Sequence, residues 1–192
     1  DQTAAFLPGR YLIAAAELIK GENQQTPSGD PWSGEVFDDF ESGKFEKWKV
    51  AGAAFADGPR DGVANSGLPN EKAHGTLTSA AFQINKPCLN FMIAGGREKT
   101  TSFEIWIDGK SIHQASGKNN ATLEAMTWNL SPHIGKKGEL RIIDEDKGKF
   151  GYIMVDRIVQ SDVPAVPLTS PRFPGEQTIA EYAKSKNLDP HI

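Results

Sequence analysis

The chain is poor in the residues that carry most metal and nucleophile chemistry. Its 192 residues include one cysteine, Cys88, and four histidines. A lone cysteine excludes an internal disulfide and a cysteine metal cluster, and its expected place is that of a small core residue. His74, His113, His133 and His191 stand at no spacing that would gather them on one ion, so zinc is not expected. Long apolar runs are missing too. No stretch approaches the roughly 18 residues of a membrane-spanning helix, and the longest apolar helical pattern, 11–19, predicts no membrane insertion. Charge of one sign is also scarce: 21 Lys and Arg stand against 25 Asp and Glu, a formal net charge of -4. The basic residues are scattered between carboxylates, which argues against a nucleic-acid partner. Nucleophile-elbow, phosphate-loop and Cys-His patterns are lacking as well, so no enzyme is expected.

What is present is enough for one core. Hydrophobic residues make up 38% of the chain, which suits one compact domain with appendages. Composition divides it into an N-terminal helix and linker (1–34), a strand-rich body (35–162), and a Pro-rich linker with a C-terminal helix (163–192). The first helix is predicted over 8–20, with Gly21 as its stop, and the second over 178–187, capped by Thr178. The opening Asp1-Gln2-Thr3 has neither Met nor the basic region of an export signal, and fits a piece of something longer.

Inside the body the hydrophobic period becomes two. The segment Phe37-Asp38-Asp39-Phe40-Glu41-Ser42-Gly43-Lys44-Phe45-Glu46-Lys47-Trp48 reads as an acidic strand running into a turn. Tyr152 to Ile158 reads as its distant counterpart, the two being the first and last strands of one sandwich. Between them, 76–84 alternates as a strand, Cys88 to Ala94 is a more buried one, and 102–108 alternates up to Asp108-Gly109, a strong hairpin signal. Further strands are expected over 123–130, 139–144 and 151–160. About nine strands at roughly 8 to 12 residue spacing predict an all-β chain, an antiparallel β-sandwich of the jelly-roll kind.

Asp39 and Glu41 lie two apart, so on an extended strand both carboxylates project to one side, and the last strand brings Asp156 alongside. Three clustered carboxylates repel unless a cation sits between them, and Ca2+ takes oxygen ligands of this kind. A structural Ca2+ on Asp39, Glu41 and Asp156 is therefore expected; the ordinary alternative is hydrogen bonding to main chain or Arg157. Trp48, Trp106 and Trp128 are expected in the core. Trp32 and Tyr152 are candidate platforms or docking residues.

Over 36–162 the order of short motifs resembles one family. These are Phe40-Glu41-Ser42-Gly43 with Trp48, Phe55-Ala56-Asp57-Gly58-Pro59, Ala64-Asn65-Ser66, Gly75-Thr76-Leu77-Thr78-Ser79, Phe91 to Gly96, Ile107-Asp108-Gly109-Lys110 and Gly151 to Asp156. Their order resembles the family 66 carbohydrate-binding modules, the levan-binding appendage of exo-levanases. The resemblance implies a β-sandwich that binds the terminal fructose of fructans and does no chemistry itself. Two features depart from the family pattern: Arg60-Asp61-Gly62-Val63 replaces a long Gly-rich loop, and Tyr152 stands where a histidine is common. The flanks, 10–15 and 180–189, resemble segments of large exported planctomycete proteins carrying a cytochrome c domain. That implies a module within a larger parent polypeptide, located extracellularly or in the periplasm.

A sugar site needs directional hydrogen-bonding side chains and often a flat apolar face. Arg97, Glu98, Asn65, Arg60 and Asp144 are the strand-end polar residues that would converge, with Tyr152 as a ring beside them. Arg97 leads because it follows Gly95-Gly96 and its guanidinium can fork onto adjacent hydroxyls. The plain alternative for each is a solvated surface group. Two further classes compete with a polysaccharide or oligosaccharide binder: a structural or protein-interaction domain, and a hydrolase with an unmarked carboxylate pair.

Overall fold

The computed structural model describes residues 29–67, 72–146 and 148–168, which fall within one compact unit, Pro27–Leu168. The helices predicted over 8–20 and 178–187 lie outside the described residues.

Eleven strands are found among the described residues. They are β1 (Glu35–Asp38), β2 (Trp48–Gly52), β3 (Ala64–Asn65), β4 (Gly75–Ser79), β5 (Phe82–Gln83), β6 (Cys88–Gly95), β7 (Thr101–Ile107), β8 (Lys110–Ala115), β9 (Asn120–Asn129), β10 (Lys137–Asp144) and β11 (Ile153–Ser161). They form two antiparallel sheets, one in the order β1-β11-β6-β9 with β3 also on β11, the other β2-β4-β10-β7-β8 with β5 also on β10. The fold is an all-β sandwich. The first and last strands pair directly, Glu35 opposite Gln160 and Val36 opposite Val159. The Asp108-Gly109 hairpin is also present: both residues have positive φ (52° and 74°), as a tight two-residue turn requires.

Alternation dictates which side chains meet. Phe103, Ile105 and Ile107 of β7 and Leu140 and Ile142 of β10 face inward, against Leu89, Phe91 and Ile93 of β6. Phe91 and Phe103 join the sheets with ring centroids 4.8 Å apart, and Trp128 packs on both at 4.6 and 4.9 Å. Phe37, Phe40, Phe45, Trp48 and Phe55 form a second chain of ring contacts. Each fully buried Phe or Leu contributes about 1.5–3 kcal/mol, so this interior is the main source of stability. Cys88 is buried, as expected.

Strand β6 is buried on both faces because the border segments cover its outer side. The Asn90 amide donates to the carbonyls of Pro31 and Val163, both at 2.8 Å, and its Oδ1 accepts from Ala165 N and Thr127 Oγ1. The compact unit thus extends a few residues beyond the expected 35–162.

Three sequence expectations change. The alternating run 76–84 is two strands, because the chain steps aside at Ala80-Ala81 and β5 pairs lower on β10. Trp106 is not a core residue: it shares the outer face with Ser102 and Glu104 and is half-buried. There its Nε1 donates to Glu104 Oε2 at 2.6 Å, and the Arg141 guanidinium lies 4.0 Å from its ring centroid. Last, Asp39 and Glu41 are not on a strand, since β1 ends at Asp38 and Phe40 is left-handed (φ 55°).

Candidate functional site

The register of both sheets places one set of strand ends together. On the second sheet a row runs Gly52, Gly75, Asp144, Thr101 across β2, β4, β10 and β7. On the first sheet the corresponding ends are Asn65, Gly95, Asn120 and Ile153. Hydrogen bonds tie the loops of this end to one another. Gly96 N donates to Tyr152 O at 2.8 Å, Glu145 N to Thr100 O at 2.8 Å, and Thr100 Oγ1 to Asp146 Oδ2 at 2.9 Å.

Five of the six expected sugar-binding residues belong to this rim. Arg97 is exposed; its amide is held by Asn119 Oδ1 at 3.0 Å and its guanidinium stands 3.5 Å from Glu98. The Glu98 carbonyl accepts from Thr101 and Ser116, which fixes the loop and leaves the carboxylate outward. Asn65 is half-buried and turns its Oδ1 to the Gly67 amide at 2.9 Å. Tyr152 is half-buried against Gly67, where an added Cβ would meet its ring carbon at 3.2 Å. Gly96 has a steric reason of its own, since a side chain there would run into the Phe150 carbonyl.

Asp144 is the most enclosed of the five. It follows Leu140 and Ile142 on the inward side of β10 and is fully buried. Burial pushes its carboxyl above the usual carboxylate range, against the opposing pull of the Ser66 hydroxyl, the Asp146 amide and His74. Its Oδ1 accepts from Asp146 N at 3.2 Å. The Ser66 hydroxyl accepts from Ile153 N at 2.8 Å and stands between the Ile153 carbonyl, 3.3 Å away, and the Asp144 carboxylate, whose Oδ2 has no hydrogen bond of ordinary geometry. Beside it His74 Nε2 is also without one. Sequence reasoning does not single out His74, and the signal for it lies in its place before Gly75 at a strand end.

Arg60 is not tied to this set. Its ion pair is with Asp57 at 3.5 Å, and its loop packs on 41–43, Gly62 beside the Glu41 carboxylate and Gly58 beside the Gly43 carbonyl. That edge carries the expected metal residues. Burial raises the pKa of Asp156, and the nearby charges of Glu41 and Asp39 raise it further. Asp156 therefore senses the other two carboxylates, although the strand argument for their grouping fails. Among the described residues no three His, Cys, Asp or Glu side chains are disposed to hold a metal ion. Ca2+ here would need main-chain oxygens to complete its shell. The neighbouring Arg157 turns its guanidinium onto the Trp32 ring at 4.8 Å.

Comparison with known proteins gives distant relatives. No family model matches the chain. The "Putative glycosyl hydrolase ecdE" of Aspergillus rugulosus is 27% identical over 154 residues, covering 70% of this chain and 22% of that protein's length. Similar solved structures include a mutant family 29 carbohydrate-binding module (TM-score 0.44, 12% identity, 71% of this chain and 96% of that one). Another is the C-terminal extracellular domain of Mycobacterium tuberculosis EmbC (TM-score 0.43, 14% identity, 79% of this chain and 72% of that one). No helix among the described residues is long and apolar enough to cross a membrane.

Proposed function

We propose that the sandwich is a non-catalytic carbohydrate-binding module that recognises the terminal fructose of a fructan, or a related glycan, within a larger exported protein. The observation that carries this reading is the gathering of Asn65, Arg97, Glu98, Asp144 and Tyr152 at one end of the sandwich, on loops cross-tied by hydrogen bonds. Loops held by a rigid scaffold are where directional recognition is built at low entropic cost. An exposed guanidinium, a carboxylate, an amide and a phenol offer the mixed donors and acceptors that sugar hydroxyls match. The name of the Aspergillus relative, and its far greater length, support a module appended to a glycan-active protein.

Insertion in a longer polypeptide is supported by Asn90, which bonds Pro31 and Val163 and so brings both borders of the sandwich to one spot. The same observation favours a second reading, a spacer or interaction domain that binds no sugar. We extend the first reading to Ca2+ at the edge formed by Asp39, Glu41 and Asp156, where the ion would lower their mutual repulsion.

Isothermal titration of the chain against levan, inulin and other plant and algal polysaccharides separates the readings. Saturable binding that Arg97→Ala weakens supports the module. Absence of binding across the panel leaves the spacer, and turnover of a glycosidic bond overturns both.

A further inference from the structure

The outer face of the second sheet holds a carboxylate that the carbohydrate reading does not use. Glu104 of β7 is 7% exposed and stands opposite Gln114 of β8. Enclosing a charge costs solvation, so its hydrogen bonds require a reason. Ser102 Oγ at 3.1 Å and Gln114 Nε2 at 2.9 Å donate to its Oε1, and Trp106 Nε1 donates to its Oε2 at 2.6 Å. The Gln114 amide nitrogen has a second hydrogen, and that nitrogen also reaches the Lys99 carbonyl at 3.4 Å. The enclosed network therefore ends on the loop that carries Arg97.

Two residues just beyond Gln114 act on the same loop. Ser116 Oγ donates to the Glu98 carbonyl at 3.1 Å, and Asn119 Oδ1 accepts from the Arg97 amide at 3.0 Å. Three side chains from one short segment thus hold three consecutive residues, Lys99, Glu98 and Arg97. The backbones meet as well: Asn119 N donates to the Gly95 carbonyl at 2.8 Å, and a Cβ on Gly117 would run into Gly95. Asn119 is left-handed (φ 61°), a conformation that asparagine adopts more readily than most residues.

We infer that Gln114, Ser116 and Asn119 are positioning residues, which hold the main chain of Arg97 to Lys99 in one conformation before a ligand arrives. Asn119 is the chief of them, because its partner is Arg97 itself. This deepens the carbohydrate reading of Arg97 and rests on it. The side chains of Arg97, Glu98 and Lys99 are exposed, so the brace fixes the backbone and leaves their polar groups to the ligand. A loop ordered in advance avoids the entropy that a free loop loses on binding. The Glu104 network gains a purpose: it anchors Gln114.

Asn119→Gly isolates the contact, since glycine keeps the left-handed backbone and the N–H to Gly95 while removing the acceptor. In the full chain, 15N relaxation is expected to show the order parameters of Arg97 to Lys99 falling from about 0.85 to below about 0.6, with the urea midpoint near that of wild type. Calorimetric binding of levan-derived and inulin-derived oligosaccharides is expected to weaken by about threefold to tenfold. Asn119→Asp retains an Oδ1 acceptor; it is expected to restore the order parameters and to bind within about twofold of wild type. In an Arg97→Ala background Asn119→Gly is expected to cost less than about twofold, because it acts through Arg97. Should Asn119→Gly fail to fold, Ser116→Ala and Gln114→Ala give the same readouts at Glu98 and Lys99. Unchanged order parameters overturn the brace. A loosened loop that binds within about twofold of wild type, or an undiminished loss in the Arg97→Ala background, overturns the positioning role and leaves the carbohydrate reading standing. No binding of either oligosaccharide by the wild type ends the fructan reading, and the positioning role with it.

Discussion

Gly52 and Gly75 face each other across β2 and β4, and neither has room for a side chain. A Cβ on Gly75 would stand 2.9 Å from the Ala51 carbonyl, and one on Gly52 would run into the His74 carbonyl from a left-handed backbone (φ 78°). Both Gly52→Ala and Gly75→Ala are expected to destabilise the fold, by about 1–3 kcal/mol. Gly52→Ala is the costlier, because it adds backbone strain to the collision. Urea unfolding of the two variants measures this, and an unchanged midpoint for Gly52→Ala would contradict the close approach.

Asp144 makes a pH-dependent contribution whose sign follows from its burial. Its folded pKa is raised from 3.8, so the folded state holds this proton to higher pH than the unfolded state does. The contribution is present below the unfolded value and is lost as pH rises through the folded one. Asp144→Asn removes that loss. The variant is expected to melt higher than wild type at neutral pH, with the difference shrinking in acid, while its sugar binding falls. Melting curves across acid to neutral pH test the sign; a variant less stable at neutral pH would contradict it.

Two tryptophans each donate an indole N–H to a buried carboxylate in different surroundings. Trp48 Nε1 meets Asp38 Oδ2 at 2.7 Å inside the core, and Trp106 Nε1 meets Glu104 Oε2 at 2.6 Å on the outer face. Glu104 Oε1 also accepts from Ser102 at 3.1 Å and Gln114 at 2.9 Å. Replacement by Phe strands a carboxylate oxygen in each case, a cost of about 1–3 kcal/mol. Trp48→Phe is expected to cost more, because Trp48 is 7% exposed and also packs on Phe37 and Phe40. Equal losses in urea unfolding would contradict that ranking.

The Asp156 edge gives a two-sided test of calcium. With the ion at ~100 times its dissociation constant, stability rises by roughly 2.7 kcal/mol. Chelator is expected to lower the melting temperature of the wild type and not that of Asp156→Asn. In chelator at neutral pH the variant should melt higher, since burial and the charges of Glu41 and Asp39 raise the folded pKa of Asp156. A wild-type curve indifferent to chelator would contradict the ion.

The layered fold was legible because period-two patterning and turn chemistry act locally. Asp108-Gly109 specifies its hairpin through two positive φ values, and the aromatic anchors from Phe37 to Trp48 reach the core whatever their exact register. The partial failures are of two kinds, one long-range and one in the local backbone. Trp106 looks like a core residue until Arg141, on a strand far along the chain, covers its ring. Asp39 and Glu41 look like strand neighbours until Phe40 takes a left-handed turn. His74 could not be singled out, because its significance lies in an unpaired nitrogen beside Asp144, and their proximity is created by strand pairing.

The most direct test of the account is to map amide NMR shifts of the whole chain during titration with a levan-derived oligosaccharide. The account predicts saturable shifts confined to the rim: Gly52, His74 and Gly75, Asn65 to Gly67, Arg97 to Thr100, Asn119, Glu145, Asp146 and Gly148 to Tyr152. Shifts at the opposite end, around Asn85 to Pro87 and Ser131 to Lys136, or no shifts with any glycan, would contradict it.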